Sequence, residues 1–525
     1  MSPKLVLVLV ADQLQTAHLG FGGLALGHTP NLDRLAAAGL RFDRAHATNP
    51  ICMPSRATLA TGMWPSTHGT RTNGVPLDPA AVTIQGSLRR QGWATAAVGK
   101  LHYQPIGWPF SPDQLAELHA AGPDVAAPAI ADGEERTGPL TSWGWEKRVT
   151  HAAAPVPLPD DYYGFAEVDL VVSHGDEAGG HYPHWARSRG FDPAELAGAA
   201  NAEATSSLWS EVWRSQVPAE ASTSAFVAEH AERRIEAASR SGRPTFLFVS
   251  FPDPHHPFCP PSPFADLIDP EAIELPRTFN ADHLGLPPHL ATIHARRGTR
   301  HVDPTFTWAV TEAQHREAMA AQLGLIAMLD LAVGRVLDAV DAVGLADDTL
   351  TVFTADHGEL GGAHGLWMKH YVHYPAVTGV PLVIAGDGVD AGATDALVSN
   401  ADLVPTLVDW TGTEPWRGVQ GRSLRPILAD RRRPGRNAVL VEEDQPIGLD
   451  GLPAPVRMRT LITDEARLTV YQGCGFGELY DHGADPDELH NVHDQDHDLR
   501  SAMTGRLLDE VLAVSDQRRR VEFGA

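Results

Sequence analysis

The fold is decided by the run 5-LVLVLVADQ-13, in which a continuous apolar stretch leads directly into an acid and an amide. Such a run is typical of a central strand in a parallel sheet, because helices cover both faces of that sheet. Similar strand patterns stand at 93–98, 245–251 and 349–354, and helical patterns stand at 222–238 and 312–343. The alternation predicts an α/β fold, a large mixed and mostly parallel sheet flanked by helices.

Polar residues follow the carboxyl ends of these predicted strands. They are Asp12, Lys100, His255 and Asp356. The carboxyl ends of parallel strands meet at one edge of a sheet, and ligands bind there. We therefore expect these four side chains to share a site.

Composition excludes several classes of protein. The chain has 41 Lys and Arg against 66 Asp and Glu, a formal charge of −25, which disfavours binding to nucleic acid or to an anionic membrane. No apolar stretch approaches the roughly 20 residues of a membrane span. The three cysteines, Cys52, Cys259 and Cys474, do not form a disulfide framework. We expect a cytoplasmic location.

The length of 525 residues predicts more than one domain. The segment 431-RRRPG-435 resembles a linker, and short strand patterns and a helical pattern at 499–514 follow it. We predict a catalytic domain over 1–430 and a small C-terminal α+β domain over 436–525. Between 105 and 222 the regular pattern dissolves, as in insertions that build loops over a site.

The segment 52-CMPSRATLATG-62 contains a predicted helix over 54–61, which stops at Gly62. Cys52 would stand just ahead of that helix, where the helix dipole and Arg56 would stabilise a thiolate or another anion. On the residues alone, a structural cysteine at a turn is the more common explanation.

This segment resembles the signature of the sulfatase family, Cys-x-Pro-Ser-Arg followed by Thr-Gly, at every fixed position. The resemblance implies an alkaline phosphatase-like fold and hydrolysis of sulfate monoesters. It also implies that a formylglycine-generating enzyme oxidises Cys52 to formylglycine, whose hydrate Arg56 would hold. One hydroxyl of the hydrate would attack sulfur and the other would later expel sulfate, an exit that an ordinary serine lacks.

The resemblance further implies one divalent cation. Sulfatases bind it after two strands and through a formylglycine oxygen, which here means Asp12, Gln13, Asp356, His357 and Cys52. Many members carry Asp at the position of Gln13 and Asn at that of His357. Oxygen ligands favour Ca²⁺, our first expectation, and an imidazole favours Mn²⁺. Without the resemblance, the two aspartates would be interpreted as strand-end caps.

Three further motifs match the family: 99-GKLH-102, 255-HHPF-258, and a lysine downstream of 356-DHGE-359. By resemblance, Lys100 and Lys369 would grip the sulfate oxygens. His102 would take the proton that triggers release of sulfate, and His255 or Lys369 would protonate the leaving alcohol. Taken singly, such residues are more often solvated or locally paired.

Weaker candidates surround these motifs. His256 is an alternative to its neighbour His255. Asn73 matches a residue that lines the substrate pocket in some relatives, although an Asn-Gly pair also forms turns. The stretch 162–185, with His174, His181 and His184, is interpreted either as part of that pocket or as a surface loop.

Three other functions compete with this interpretation. A phosphonate monoester or phosphodiester hydrolase on the same scaffold shares the formylglycine and the Asp-His metal pair, but tends to carry Tyr and Thr where this chain has Lys100 and His102. A two-metal phosphatase would need a Ser or Thr nucleophile. A non-catalytic relative would have lost a residue such as Cys52 or Arg56. The expected partners are a small anionic ester and the generating enzyme, and a homo-oligomer is compatible with the sequence.

Overall fold

The computed structural model describes residues 3–106, 144–299, 306–449 and 451–515. Within these ranges the strands are β1 (Leu5–Ala11), β2 (Leu40–Phe42), β3 (Ala45–His46), β4 (Ala94–Lys100), β5 (Glu167–Val172), β6 (Gly179–Gly180), β7 (Ala204–Thr205), β8 (Trp213–Arg214), β9 (Thr245–Ser250), β10 (Trp308–Ala309), β11 (Thr349–Ala355), β12 (Leu366–Trp367), β13 (Leu382–Ala385), β14 (Gly392–Thr394), β15 (Val398–Ser399), β16 (Val439–Gln445), β17 (Val456–Ile462), β18 (Ala466–Tyr471) and β19 (Gly477–Asp481). The α-helices of the same ranges are α1 (Pro30–Ala38), α2 (Cys52–Thr61), α3 (Pro65–His68), α4 (Ile84–Arg90), α5 (Tyr182–Ser188), α6 (Pro193–Leu196), α7 (Thr223–Ser241), α8 (Pro288–Ala295), α9 (Glu312–Ala342), α10 (Pro375–Thr378), α11 (Leu403–Thr411), α12 (Arg425–Ala429) and α13 (His497–Ala513).

The main sheet has nine strands among the described residues, in the order β14-β2-β13-β11-β1-β9-β4-β5-β6. The five strands from β11 to β5 are parallel to one another. β1 lies in the middle, with Leu5 opposite Thr349 on one side and Thr245 on the other, and all of its residues are buried. β13 joins this parallel block antiparallel to β11. The predicted large, mixed and mostly parallel sheet is confirmed.

Helix α9 packs against both α7 and α1. It begins at a capping box, in which Thr311 and Gln314 satisfy each other's backbone N–H groups. Within α9, Asp330 Oδ1 accepts a hydrogen bond from Leu32 N–H at 2.8 Å, at the start of α1. This buried carboxylate therefore fixes α1 against the longer helix. No helix in the described ranges is long and apolar enough to cross a membrane.

A second, antiparallel sheet of strands β16 to β19 lies near the C-terminus, with α13 packed on it through Met503 and Leu507. It confirms the small C-terminal strand-rich domain. It contacts the first part of the chain where Trp64 Nε1 donates to Leu440 O at 3.0 Å. The boundary that we predicted between 430 and 436 stays a prediction.

The predicted insertion lies partly outside the described residues, because 107–143 belong to none of the ranges above. Its described part contributes β5, which extends the parallel block beyond β4. The chain leaves the carboxyl ends of β11, β1, β9, β4 and β5 at the same edge of the main sheet.

Candidate active site

Helix α2 presents its first turn to this edge of the sheet. It begins at Cys52, two residues earlier than the sequence predicts, and ends at Gly62, whose φ of 68° is left-handed. The earlier start has a local cause. Asn49 Oδ1 accepts the N–H of Ile51 at 2.8 Å, and Asn73 Oδ1 accepts the N–H of Met53 at 3.1 Å, so side chains satisfy the first orphan donors. Cys52 is therefore inside the first turn and not ahead of it.

Hydroxyl side chains anchor α2 in the core, and all ten of its residues are buried. Ser55 Oγ donates to the carbonyl oxygen of Asp356 and accepts from Asn400 Nδ2, the latter at 2.9 Å. Thr58 Oγ1 lies 2.9 Å from Thr48 Oγ1. The hydroxyl groups of the motif thus tie the helix to the end of β11 and to its neighbouring loops.

Arg56 is the electrostatic centre of the site. Its Nε donates to Asp356 Oδ2 at 2.8 Å, and its Nη2 lies 3.3 Å from Asp12 Oδ2. Nη1 donates to Lys100 O and to Ser250 Oγ, both at 2.8 Å. Although burial would lower the pKa of Arg56, the two carboxylates raise it, so the guanidinium stays charged.

The two carboxylates are ionised for the same reason. Burial alone would raise the pKa of Asp12, but the Lys100 ammonium and the Arg56 guanidinium hold it well below its usual range. The pKa of Asp356 is also lowered against the effect of burial, by His357 and Arg56. Two buried anions beside fixed donors form an environment that attracts cations.

Ligand atoms for a cation converge beside Cys52. One atom from each of Asp12, Cys52, Asp356 and His357 lies within 4.8 Å of every other. His357 Nδ1 donates to Gly358 O at 2.8 Å, which leaves the lone pair of Nε2 directed towards Cys52 Sγ at 3.2 Å. Burial lowers the pKa of His357 to about 4, so the imidazole is neutral at pH 7. These donors fit a divalent metal ion.

Lys369 enters the same space from the segment after β12. Its Nζ lies 2.8 Å from Gln13 Oε1, 3.3 Å from Cys52 Sγ, and 3.0 Å from the Nε2 atoms of both His255 and His357. Lys100 Nζ pairs with Asp12 Oδ2 on the opposite side. The cysteine therefore lies among two lysines, an arginine and two carboxylates.

Two of the predicted histidines flank this cluster. His255 Nδ1 donates to His256 O at 2.6 Å, so its Nε2 accepts from Lys369. The backbone N–H of His102 donates to Glu146 Oε2 at 2.5 Å, and burial places the pKa of the His102 imidazole well below its usual value. Burial also lowers the pKa of His255, so both rings are neutral at pH 7.

The structure brings nine predicted residues into one cluster, namely Asp12, Gln13, Cys52, Arg56, Lys100, His255, Asp356, His357 and Lys369. His102 lies two residues beyond Lys100, and the ring of His256 lies 4.0 Å from that of His255. Asn73 is exposed where α2 begins, and its carbonyl oxygen caps Met53.

His174 also belongs to the cluster, although its sequence pattern fits a surface loop equally well. Its ring stacks on His255 with centroids 3.5 Å apart, and its Nε2 contacts Lys100 Nζ. His174 follows the carboxyl end of β5. If β5 is recognised in the sequence as a fifth parallel strand, this position identifies His174 as a candidate site residue. His181 and His184 instead bind backbone carbonyls, those of Val156 and His151.

Two buried carboxylates of this region were not assigned from sequence. Glu146 accepts the N–H groups of His102 and Tyr103, and Glu359 accepts from Gln13 Nε2. Glu359 stands within 356-DHGE-359, but that position alone assigns it no role, and Glu146 stands in no motif.

Comparisons with known proteins give a consistent result. The family model described as Sulfatase matches residues 4–108 and 176–413, and the model described as N-sulphoglucosamine sulphohydrolase, C-terminal, matches residues 362–513. The multifunctional alkaline phosphatase superfamily protein PehA of Trinickia caryophylli is 30% identical over 82% of this chain and 78% of its own length. Choline-sulfatase of Rhizobium meliloti is 27% identical over 93% of this chain and 82% of its own length.

Solved structures show the same fold. The phosphonate monoester hydrolase of Agrobacterium radiobacter superposes with a TM-score of 0.72 at 25% identity, covering 98% of this chain and 95% of that protein. A structure of BT4656 in complex with D-glucosamine-2-N,6-O-disulfate, its substrate, superposes with a TM-score of 0.67 at 18% identity, over 99% of this chain and 100% of that one.

Proposed function

The chain belongs to the sulfatase family and is a sulfuric ester hydrolase, and from that premise we propose that it cleaves sulfate monoesters through a formylglycine made from Cys52. One observation carries the proposal. Cys52 Sγ lies at the first turn of α2, 3.2 Å from His357 Nε2, 3.3 Å from Lys369 Nζ and 3.7 Å from Asp12 Oδ1. The sulfur stands in for an oxygen of the hydrated aldehyde, which would then lie among ligand atoms and cations.

The proposed chemistry begins with attack of one hydroxyl of the formylglycine hydrate on sulfur. The S–O bond to the alcohol breaks as the new S–O bond forms, and the alcohol leaves with a proton. Loss of the proton from the second hydroxyl then restores the aldehyde and expels sulfate. Water adds to the aldehyde and regenerates the hydrate, so the cycle consumes one water for each ester.

One divalent metal ion would be held by Asp12, Gln13, Asp356, His357 and the oxygen on residue 52, with Ca²⁺ as the first expectation and Mn²⁺ as the alternative. When bound, it would lower the pKa of the attacking hydroxyl. The two carboxylates and the amide oxygen suit Ca²⁺, whereas the imidazole favours Mn²⁺.

The remaining side chains take the roles that their positions support. Lys100 and Lys369 hold the sulfate oxygens, and Arg56 holds the hydrate. Because His255 Nε2 accepts from Lys369 Nζ at 3.0 Å, these two residues form the proton donor to the leaving alcohol. His102, neutral and buried, takes the proton from the second hydroxyl. Asn73, whose side-chain oxygen accepts the N–H of Met53 at the start of α2, would contact the substrate.

Peptide mass spectrometry tests the nucleophile. We expect active preparations to carry formylglycine at position 52, and Cys52→Ala to abolish turnover while preserving the fold. His102→Ala should release alcohol in a burst and then stop with a sulfated enzyme, because attack survives and release of sulfate fails. A fully active enzyme with an unmodified Cys52 would falsify the proposal.

A phosphonate monoester hydrolase is the second candidate. Two observations favour it: Gln13 and His357 depart from the residues of many sulfatases, and phosphonate monoester hydrolases are among the superposing structures. Lys100 and His102 favour the sulfatase. Phosphate esters should bind but turn over slowly, since phosphate carries more charge and is the poorer leaving group. The test is kcat/KM on matched aryl sulfate, phenylphosphonate and phosphate esters; a wide margin for phosphonate would replace the first candidate.

We also propose that the enzyme acts in the cytoplasm on small anionic esters, after maturation by a formylglycine-generating enzyme. Its three cysteines are unpaired, which suits a reducing compartment. Cell fractionation with an activity assay tests the location.

A further inference from the structure

Glu359 is a fully buried carboxylate that contacts both Gln13 and the backbone just before Lys369. Its Oε2 accepts a hydrogen bond from Gln13 Nε2. Its Oε1 accepts the backbone N–H groups of Gly361 at 3.2 Å and Met368 at 2.6 Å. One acid thus connects a predicted metal ligand to the backbone immediately before Lys369.

The contact with Gln13 decides which end of the amide reaches the site. An amide offers a donor at nitrogen and an acceptor at oxygen, and only the oxygen can bind a metal ion. Because Glu359 occupies Nε2, Oε1 faces Lys369 Nζ at 2.8 Å. The backbone N–H of Gln13 donates to Asp356 Oδ1 at 3.1 Å, which fixes the main chain of the same residue.

We propose that Glu359 is a positioning residue, which holds the amide of Gln13 with its oxygen towards the cation and anchors the segment that carries Lys369. The proposal rests on the metal-dependent function proposed above. It explains how an uncharged residue serves at position 13: the negative charge lies one hydrogen bond further out, on Glu359.

The isosteric variant Glu359→Gln removes this control. Its Oε1 would still accept from Gly361 and Met368, so its Nε2 would face Gln13 Nε2. The Gln13 amide would then have to flip and present a donor to the metal ion. We expect the affinity of the metal-free full chain for Mn²⁺ and for Ca²⁺, titrated separately by calorimetry, to fall about 10- to 100-fold.

The double variant Gln13→Glu with Glu359→Gln, in which the two side chains are exchanged, provides the second test. Gln13→Glu alone places two carboxylates face to face and should also weaken binding. In the double variant, Nε2 of residue 359 donates to the new carboxylate, every hydrogen bond is kept, and the total charge is unchanged. We expect it to bind the metal ion within about threefold of the wild type, a coupling that a double-mutant cycle measures.

Glu442→Gln is the matched control, because Glu442 is a buried carboxylate that accepts the N–H of Ser66 at 2.8 Å, outside the site. Wild-type affinity in Glu359→Gln would overturn the proposal. If that variant does not fold, a double variant that binds no better than Gln13→Glu would overturn it. Metal binding without turnover of any ester would remove the proposed function and leave the positioning role in place.

Discussion

The two carboxylate oxygens of Asp356 make different contacts in this site. Its Oδ2 accepts from Arg56 Nε at 2.8 Å, while its Oδ1 accepts the backbone N–H groups of His357 at 2.9 Å and Gln13 at 3.1 Å. One oxygen therefore compensates a buried charge, and the other orients the two residues that would share the metal ion with it. Such contacts make the ligand geometry a property of the folded chain.

Substitution of His174 should impair the departure of poor leaving groups. Its ring stacks on His255 with an interplanar angle of 9° and contacts Lys100, and its side chain is 13% exposed, which places it on the open side of the cluster. We expect His174→Ala to lower kcat about tenfold on alkyl sulfates and less on 4-nitrophenyl sulfate, whose alcohol needs no proton.

His174→Phe keeps the ring stack and should recover part of that loss. His184→Ala serves as the control, because His184 binds the carbonyl of His151 outside the cluster. Equal losses on both esters would show that the stack does not support proton transfer.

The sequence predicts which residues belong to the site better than it predicts the hydrogen bonds among them. Cys52, Arg56 and Lys369 could be placed because each stands in a motif at a strand or helix end. Glu359 and Glu146 could not be assigned a role, because the groups that they hold come together only in the folded chain.

The element that carries Lys369 is an unusual piece of backbone. Met368, His370 and Tyr371 all have positive φ values, of 71°, 79° and 63°, which side-chain-bearing residues rarely adopt. Glu359 holds this segment at Met368 N–H, and Glu443 of β16 holds it at Tyr371 N–H, at 3.0 Å. The C-terminal sheet thus supports the position of Lys369.

Loss of the Glu443 charge should therefore lower turnover from outside the active site. Glu443 Oε2 also accepts from His373 Nε2 at 2.9 Å. A glutamine at this position has a single acceptor oxygen and cannot accept from both Tyr371 N–H and His373. We expect Glu443→Gln to reduce kcat roughly 10-fold and stability by about 1–3 kcal/mol, the cost of an unsatisfied buried group. Metal affinity, measured by calorimetry, should stay within about threefold, in contrast to Glu359→Gln.

The neighbouring variant Glu442→Gln separates stability from activity. It should lower the melting temperature comparably and leave kcat unchanged. Unchanged kcat in Glu443→Gln as well would show that the segment keeps its position without the C-terminal sheet.

The C-terminal sheet contains its own acid-sensitive pair. Burial would raise the pKa of Glu488, but Arg467, 2.8 Å away, and His482 lower it from 4.5 to about 2. Because the folded-state pKa lies below the unfolded one, the pair stabilises the fold above about pH 4.5, and this stabilisation, roughly 3 kcal/mol, is lost as the pH falls to about 2.

Urea unfolding at pH 6 and at pH 3 measures this contribution. Glu488→Gln should be less stable than the wild type at pH 6 and should lose less on acidification. Glu465→Gln is the control, since Glu465 pairs with Arg506 at an exposed position. Identical pH dependence in Glu488→Gln and wild type would contradict the assignment.

Elements were predictable where the apolar pattern is long. The pattern at 349–354 corresponds to β11, Thr349–Ala355, and that at 312–343 to a helix of Glu312–Ala342. β5 was missed because the first half of its sequence, EVDLVV, is exposed or only partly buried. Short strands such as β2 are defined by pairing with distant partners, which a local pattern does not reveal.

The whole molecule opposes its own substrate electrostatically. The chain carries a net charge of −25, whereas the site gathers Arg56, Lys100 and Lys369. Long-range repulsion of an anionic ester is screened by salt, but the buried contacts are screened much less. We expect kcat/KM for an aryl sulfate to rise a few-fold between about 10 and 200 mM NaCl, because the added salt screens this long-range repulsion.

A zwitterionic sulfate ester, with no net charge, should respond less and provides the comparison. A fall of kcat/KM with added salt for the anionic ester would mean that the local positive charge dominates at long range as well.

The 1% exposure of Cys52 would limit when the proposed oxidation of its side chain can take place. The generating enzyme proposed above would need access to Cys52, yet all ten residues of the helix that begins there are buried. If Cys52 is oxidised as proposed, the reaction would therefore have to take place before the core closes. Incubation of folded, unmodified chain with the generating enzyme should yield no aldehyde, whereas the same chain offered during refolding should be converted; conversion of the folded chain would show that the helix opens without global unfolding.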